Sequence, residues 1–195
     1  HPGTSHIEAM FDGKEIASLT TKYQPVLRDL SFVEDVLRIR YGGADRAIRA
    51  LILSVASGEP LLFVGPPGTG KSQLIRDFCA LCGITASRES DNGDSSNGEY
   101  FEYLLTPFTE PSELFGFYDI ASLQKGVPQR LDKGMMQNAK VIYLDEVFNG
   151  SSAILNSILT FMNERAFHER GKTKKVAMEY MFGASNRVPD STVLR

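Results

Sequence analysis

Tryptophan is absent from these 195 residues, cysteine occurs twice and histidine three times. Each shortage closes off a class of chemistry. Two cysteines cannot build the disulfide framework of a small secreted domain. Cys79 and Cys82 form a C-x-x-C, but no second Cys/His pair follows them, as a structural zinc site would need. They fall inside an expected helix, where packing is the simpler role. His168 is the one histidine beyond the first six residues, which argues against a metal held by imidazoles. No apolar run approaches the roughly 18 residues of a membrane span, and no signal peptide is evident. A reducing, cytoplasmic setting is therefore the expectation. A basic surplus is missing too: 21 Lys and Arg stand against 24 Asp and Glu. Charge alone gives no reason to expect nucleic acid as the main partner.

What is present is the composition of an ordinary globular domain, with 42% hydrophobic and 23% charged residues. The length fits one α/β domain, or one with appendages. Residues 1–6 read as a tag remnant, residues 1–22 as an N-terminal extension, and 23–195 as the folded core.

Ser31-Phe32-Val33-Glu34 has the S-x-x-E pattern of a capping box and predicts a helix start. A second helix is expected over 45–57, with Ile48, Leu51, Ile52 and Val55 on one face and Gly58 at its end. Leu61-Leu62-Phe63-Val64 is a short continuous apolar run, as expected of a strand buried on both faces. A Gly/Pro-rich turn and a helix over 71–82 follow. Residues 87–98 are polar and predict a surface loop. A strand is expected over 100–105, a short helix over 111–115, and an irregular or hairpin-like stretch over 116–131. Val141-Ile142-Tyr143-Leu144 repeats the buried-strand pattern. Ser151 or Ser152 should cap the next helix, a hairpin should turn near Gly171, and a last strand should lie near 178–184. Alternating strands and helices predict a parallel sheet with helices on both faces.

Three segments carry chemistry. Gly65-Pro66-Pro67-Gly68-Thr69-Gly70-Lys71-Ser72 matches G-x-x-x-x-G-K-[ST] at every position. Glycines let the backbone wrap closely, so that successive N–H groups converge on phosphate oxygens. The helix that begins there, with Gln73 in its first turn, adds its positive dipole end. Lys71 would reach the β- and γ-phosphates, and the Ser72 hydroxyl would ligate Mg²⁺. The second segment is the pair Asp145-Glu146, ending an apolar strand at the sheet edge where the phosphate loop also lies. Asp145 would hold Mg²⁺ and Glu146 would polarise the attacking water. Two acids at a strand end are also a common helix-start signal; it is their pairing with Lys71 and Ser72 that favours ATP hydrolysis. The third is Gly183-Ala184-Ser185-Asn186. Asn186 could reach the γ-phosphate side of that edge, or simply serve the turn.

Taken together, GPPGTGKS at 65–72, VIYLDEVF at 141–148 with AILNSILTFMNER at 153–165, and GASN at 183–186 resemble the MoxR family of AAA+ ATPases, nearest its RavA-type branch. FEYLLTPFTEPSELFG at 101–116 resembles the segment after that family's second strand. The resemblance covers residues 31–195. It implies an AAA+ P-loop fold, with a helix-2 insert at 111–131 and a pre-sensor-1 hairpin at 166–178. It implies that Asn186 is the sensor-1 residue, that Thr106 restrains Glu146, and that Tyr41 and Gly42 lie against adenine. ATP or ADP with Mg²⁺ would be the ligands. The ring would be a hexamer, and its clients proteins with von Willebrand factor A domains. The family's arginine finger, fifth strand and helical lid would all follow Arg195, so the chain is expected to be a fragment whose first strand forms a sheet edge. Two other functions stand beside this one. An ATP-gated binding module would turn over little ATP, and an intact acid pair speaks against it. A nucleic-acid motor would need basic inserts. Segment 111–131 sets Lys125 and Arg130 against Glu113 and Asp119, while the hairpin carries Arg165, Arg170, Lys172, Lys174 and Lys175.

Overall fold

A computed structural model describes residues 13–84, 99–169 and 172–186 of the chain. The polar stretch 87–98 and the turn at Gly171 lie outside the described residues. Helix α1 (Gly13–Arg40) is followed by α2 (Asp45–Ser57), strand β1 (Leu61–Val64), α3 (Lys71–Leu81) and β2 (Tyr100–Leu104). Two short helices, α4 (Pro111–Phe115) and α5 (Ile120–Gln124), precede β3 (Val141–Asp145). Then come α6 (Ser152–Glu164), the ribbon strands β4 (Ala166–Glu169) and β5 (Lys172–Lys175), and β6 (Tyr180–Ser185).

Four strands form one parallel sheet in the order β1-β6-β3-β2, and β4 pairs with β5 antiparallel. Side chains of successive strand residues point to opposite faces, and the two cores follow that alternation. Tyr100, Val141, Tyr143, Phe182 and Ala184 join α1, α2 and α3 on one face. Phe101, Ile142, Leu144 and Met181 join α4 and α6 on the other. Each of β2, β3 and β6 thus feeds both cores, and β3 is buried from Val141 to Leu144.

The structure departs from the sequence reading in four places. Ser31 caps nothing: α1 runs through it, and its hydroxyl donates to the Leu27 carbonyl one turn earlier at 2.9 Å. The S-x-x-E pattern needs a non-helical backbone at its serine, and here helix already exists upstream, despite Pro25. The boundary expected between residues 22 and 23 also lies within this helix. β1 is not covered on both faces. Leu62 and Val64 are 43% and 49% exposed, although the strand's place at the described sheet's edge is the one expected. Finally, the 116–131 stretch holds a helix, α5, whose cap Asp119 accepts from the Ala121 and Ser122 amides. A bridge between Tyr118 and Arg130 closes the excursion at its base. Elsewhere the expectations hold: α2 ends at Gly58 in a left-handed cap, and Ser151 caps α6 through the Ile154 amide.

Candidate nucleotide-binding site

The candidate phosphate loop, Gly65–Ser72, leaves β1 and enters α3, and its glycines have distinct tasks. Gly68 and Gly70 adopt φ of +76° and +78°, a region that costs a side-chain-bearing residue roughly 1 kcal/mol or more. Gly70 is the N-cap of α3, and its carbonyl accepts the Leu74 amide at 2.9 Å. The loop therefore turns sharply into a helix whose first amides face the turn. Lys71 folds back over it, its ammonium donating to the Gly65 and Pro66 carbonyls at 2.9 Å each. Thr69 steadies the same curve by donating to the Pro66 carbonyl at 3.1 Å.

The other two segments meet this loop across the sheet edge, because β6 lies between β1 and β3. The Gly65 amide donates to the Ser185 carbonyl at 3.1 Å, joining the loop to the end of β6. One residue on, the Asn186 amide donates to Glu146 Oε2 at 3.3 Å, joining β6 to the acid pair. Glu146 has φ of +50°. A glutamate in left-handed backbone is strained, and such strain collects at working sites. It arises because the chain turns directly from β3 into a short 3₁₀ turn, Val147–Asn149. The Glu146 amide donates to Asp145 Oδ1 at 3.0 Å, which orients the first carboxylate.

A cavity of about 540 Å³ opens beside the loop. Gly65, Pro66, Thr69, Gly70 and Lys71 form one side, and Tyr41, Gly42, Gly43, Ala47, Phe63 and Leu74 an apolar remainder. Pro67, Gly68, Ser72 and Gln73 are not part of this lining. Gln73 donates its side-chain amide to Asp77 at 2.9 Å. Thr106 does not meet Glu146: its hydroxyl pairs with Thr109 at 3.3 Å and accepts the Phe108 amide at 3.2 Å.

Two groups escaped the sequence reading. Asp77, one helical turn beyond Gln73, accepts the Tyr41 hydroxyl at 2.5 Å and the Arg40 guanidinium at 2.7 Å. Only the Gln73/Asp77 spacing was visible beforehand. Burial, then the bond to Asp77, pushes the Tyr41 phenol up to about 12, so it remains a donor at neutral pH. On the opposite flank of α3, Arg76 grips Glu102 of β2 through two hydrogen bonds of 2.8 and 2.7 Å. Both are partly exposed, so the pair fixes direction more than it adds stability.

Among the described residues, no three His, Cys, Asp or Glu side chains gather to hold a metal ion. Magnesium needs no such cage, since it takes one or two protein oxygens and completes its shell with phosphate and water. A hydroxyl and a carboxylate, Ser72 and Asp145, suit that hard cation.

A parallel sheet in this order, with a phosphate loop after one strand and an acid pair ending another, defines a domain of the AAA+ ATPase type. The chain belongs to the MoxR family: the family model described as "MoxR domain in the MoxR-vWA-beta-propeller ternary systems" matches residues 28–195. Two uncharacterised proteins of Methanocaldococcus jannaschii are 33% identical over 170 residues and 36% over 144. The alignments take in 87% and 73% of this chain but 41% and 35% of those proteins. A crystal structure of a candidate ATPase from Cytophaga hutchinsonii shares the fold, with a TM-score of 0.63 at 20% identity. It covers 92% of this chain, which spans 49% of that one. The chain thus spans less than half the length of these relatives. No helix among the described residues is long and apolar enough to cross a membrane.

Proposed function

We propose that this domain binds and hydrolyses ATP, and that it works as a subunit of a ring that remodels a protein partner. The observation that carries the reading is the bond from the Asn186 backbone amide to the Glu146 carboxylate, which sets both residues beside a loop tied to the same β6 terminus. Three segments distant in sequence converge where a γ-phosphate and an attacking water would lie. The loop amides and Lys71 would bind the phosphates. Ser72 and Asp145 would hold Mg²⁺, which would supply positive charge against the phosphates. Glu146 would accept a proton from the water, and Asn186 would orient that water against the phosphate. Such proton transfer contributes about 10²–10⁴-fold to a rate. The base would occupy the apolar end of the cavity, beside Tyr41 and Gly42.

Among the described residues, no arginine joins this constellation to play the part that related phosphoryl transfers use, worth about 10³–10⁵-fold. We assign it to a neighbouring subunit, in a hexamer. The family description supports a protein with a von Willebrand factor A domain as partner. The test is ATP turnover per subunit across a wide range of protein concentration, with Glu146→Gln as blank. A specific rate that climbs with concentration supports sites completed between subunits. A flat rate, with sedimentation showing monomer throughout, overturns the ring. No rate above the blank, with or without the partner, overturns hydrolysis and leaves an ATP-gated binding module.

A further inference from the structure

The turn that closes α1 is built around one carboxylate on a different helix. Tyr41 ends α1, its amide donating to the Leu37 carbonyl at 2.8 Å, and its own carbonyl accepts the Ala44 amide at 3.0 Å. The backbone is thereby held, but the side chain could still swing about its rotamers. Asp77 stops it. The phenol donates to Asp77 Oδ2 at 2.5 Å, where Arg40 Nε also bonds at 2.7 Å, and Gln73 fills Oδ1 at 2.9 Å. Only 14% of the Asp77 side chain is exposed. A carboxylate so buried needs its partners, and two of the three come from the end of α1 rather than from α3. The result is a ring fixed against the start of α3, where a Cβ on Gly70 would come within 3.8 Å of Tyr41 Cε1. Tyr41 is part of the lining of the cavity beside the loop, with apolar Ala47, Phe63 and Leu74.

We propose that Asp77 is a positioning residue: it holds Tyr41 as a wall of a base slot, so that the nucleoside as well as the triphosphate contributes to affinity. The inference rests on reading residues 65–72 as the phosphate loop. Aromatic walls bind bases through their faces, and a wall ordered for only part of the time weakens apparent binding by that fraction. The charged Asp77 acceptor keeps the fraction high, because hydrogen bonds to ionised groups are the stronger ones.

The experiment compares ATP with inorganic tripolyphosphate, which carries the phosphates and no base, in equilibrium titrations of the protein and its variants. Tyr41→Phe and Asp77→Ala are expected to bind ATP about three- to tenfold more weakly, with tripolyphosphate affinity unchanged. Asp77→Asn keeps an acceptor for the phenol but loses the charge, and its ATP affinity is expected between those of the parent and Asp77→Ala. The double variant Tyr41→Phe/Asp77→Ala should be no weaker than either single one, since both remove the same restraint. Should Asp77→Ala fail to fold, the near-isosteric Tyr41→Phe still decides the matter. Equal weakening of both ligands would mean that Asp77 merely supports the phosphate-loop helix, and no weakening of either would mean that Tyr41 needs no restraint. Each result overturns the proposal while leaving the loop assignment standing. A parent protein that binds neither ligand overturns the loop assignment itself, and the proposal with it.

Discussion

On one face of the sheet, Tyr100, Tyr143 and Phe182 pack beneath the helices that lead into and out of the phosphate loop. On the other, Phe101, Ile142 and Met181 pack beneath α4, α6 and the start of the β4–β5 ribbon. The first face is organised by hydrogen bonds that recur along the edge where a nucleotide would bind. The second is organised by rings and one arginine. Phe115 stacks on Phe167 at 4.9 Å and meets Phe161 at 5.9 Å. Arg130 lies over Tyr118 at 4.3 Å and approaches Phe167 at 5.7 Å, while donating to the Gly116 carbonyl at 2.6 Å. The excursion and the ribbon, separate features in the sequence, thus sit side by side with a cavity of about 400 Å³ between them. The excursion also exposes Phe117, Ile120, Val127 and Leu131.

If that division is sound, variants on each face should fail in different ways. The largest effect is expected from Lys71→Ala, which should lose ATP binding altogether; micromolar affinity retained in a fluorescence titration would break the phosphate-loop assignment. Glu146→Gln should bind ATP as the parent does and lose about 10²–10⁴-fold in turnover, and a normal rate in a steady-state assay would hand the base to another residue. Gly116→Ala probes the opposite face. Gly116 has φ of +88°, and a Cβ there would lie 2.0 Å from the Leu131 carbonyl oxygen. A loss of about 2–4 kcal/mol in denaturant unfolding is expected, with ATP affinity of the folded fraction unchanged. A parallel loss of affinity would show that the two faces are coupled through the sheet. The smallest effect belongs to Ser151→Ala, which removes the α6 cap. It should cost about 1 kcal/mol in the same measurement, and no change would place the burden of starting α6 on the buried Ile154 and Ile158 alone.

Much of the first face was legible. The run from Leu61 to Ser72 demands a strand, a glycine turn and a helix in immediate succession, and each demand is local: apolar residues, φ above zero at Gly68 and Gly70, a helix with apolar period. Asp145-Glu146 was legible through its strand for the same reason. Ser31 misled because a capping box is also local, and whether its serine ends or continues a helix depends on the residues before it. Asp77 was invisible as a partner of Tyr41, 36 positions away. Nothing in the spacing of two polar residues tells that two helices will bring them within hydrogen-bond reach. Arg130 and Phe167 were hidden likewise.

By itself, then, the order of residues determined the class of domain, the strand, glycine turn and helix that follow one another from Leu61, and the strand that ends at Asp145, because backbone conformation and strand or helix period depend on near neighbours. Tertiary structure alone decided that β6 enters between β1 and β3, and so that Asn186 meets Glu146 and Ser185 meets Gly65. It alone set Tyr41 on Asp77 and the excursion against the ribbon. Those contacts depend on how strands and helices pack together, and that is settled by burying both faces of β2, β3 and β6 at once.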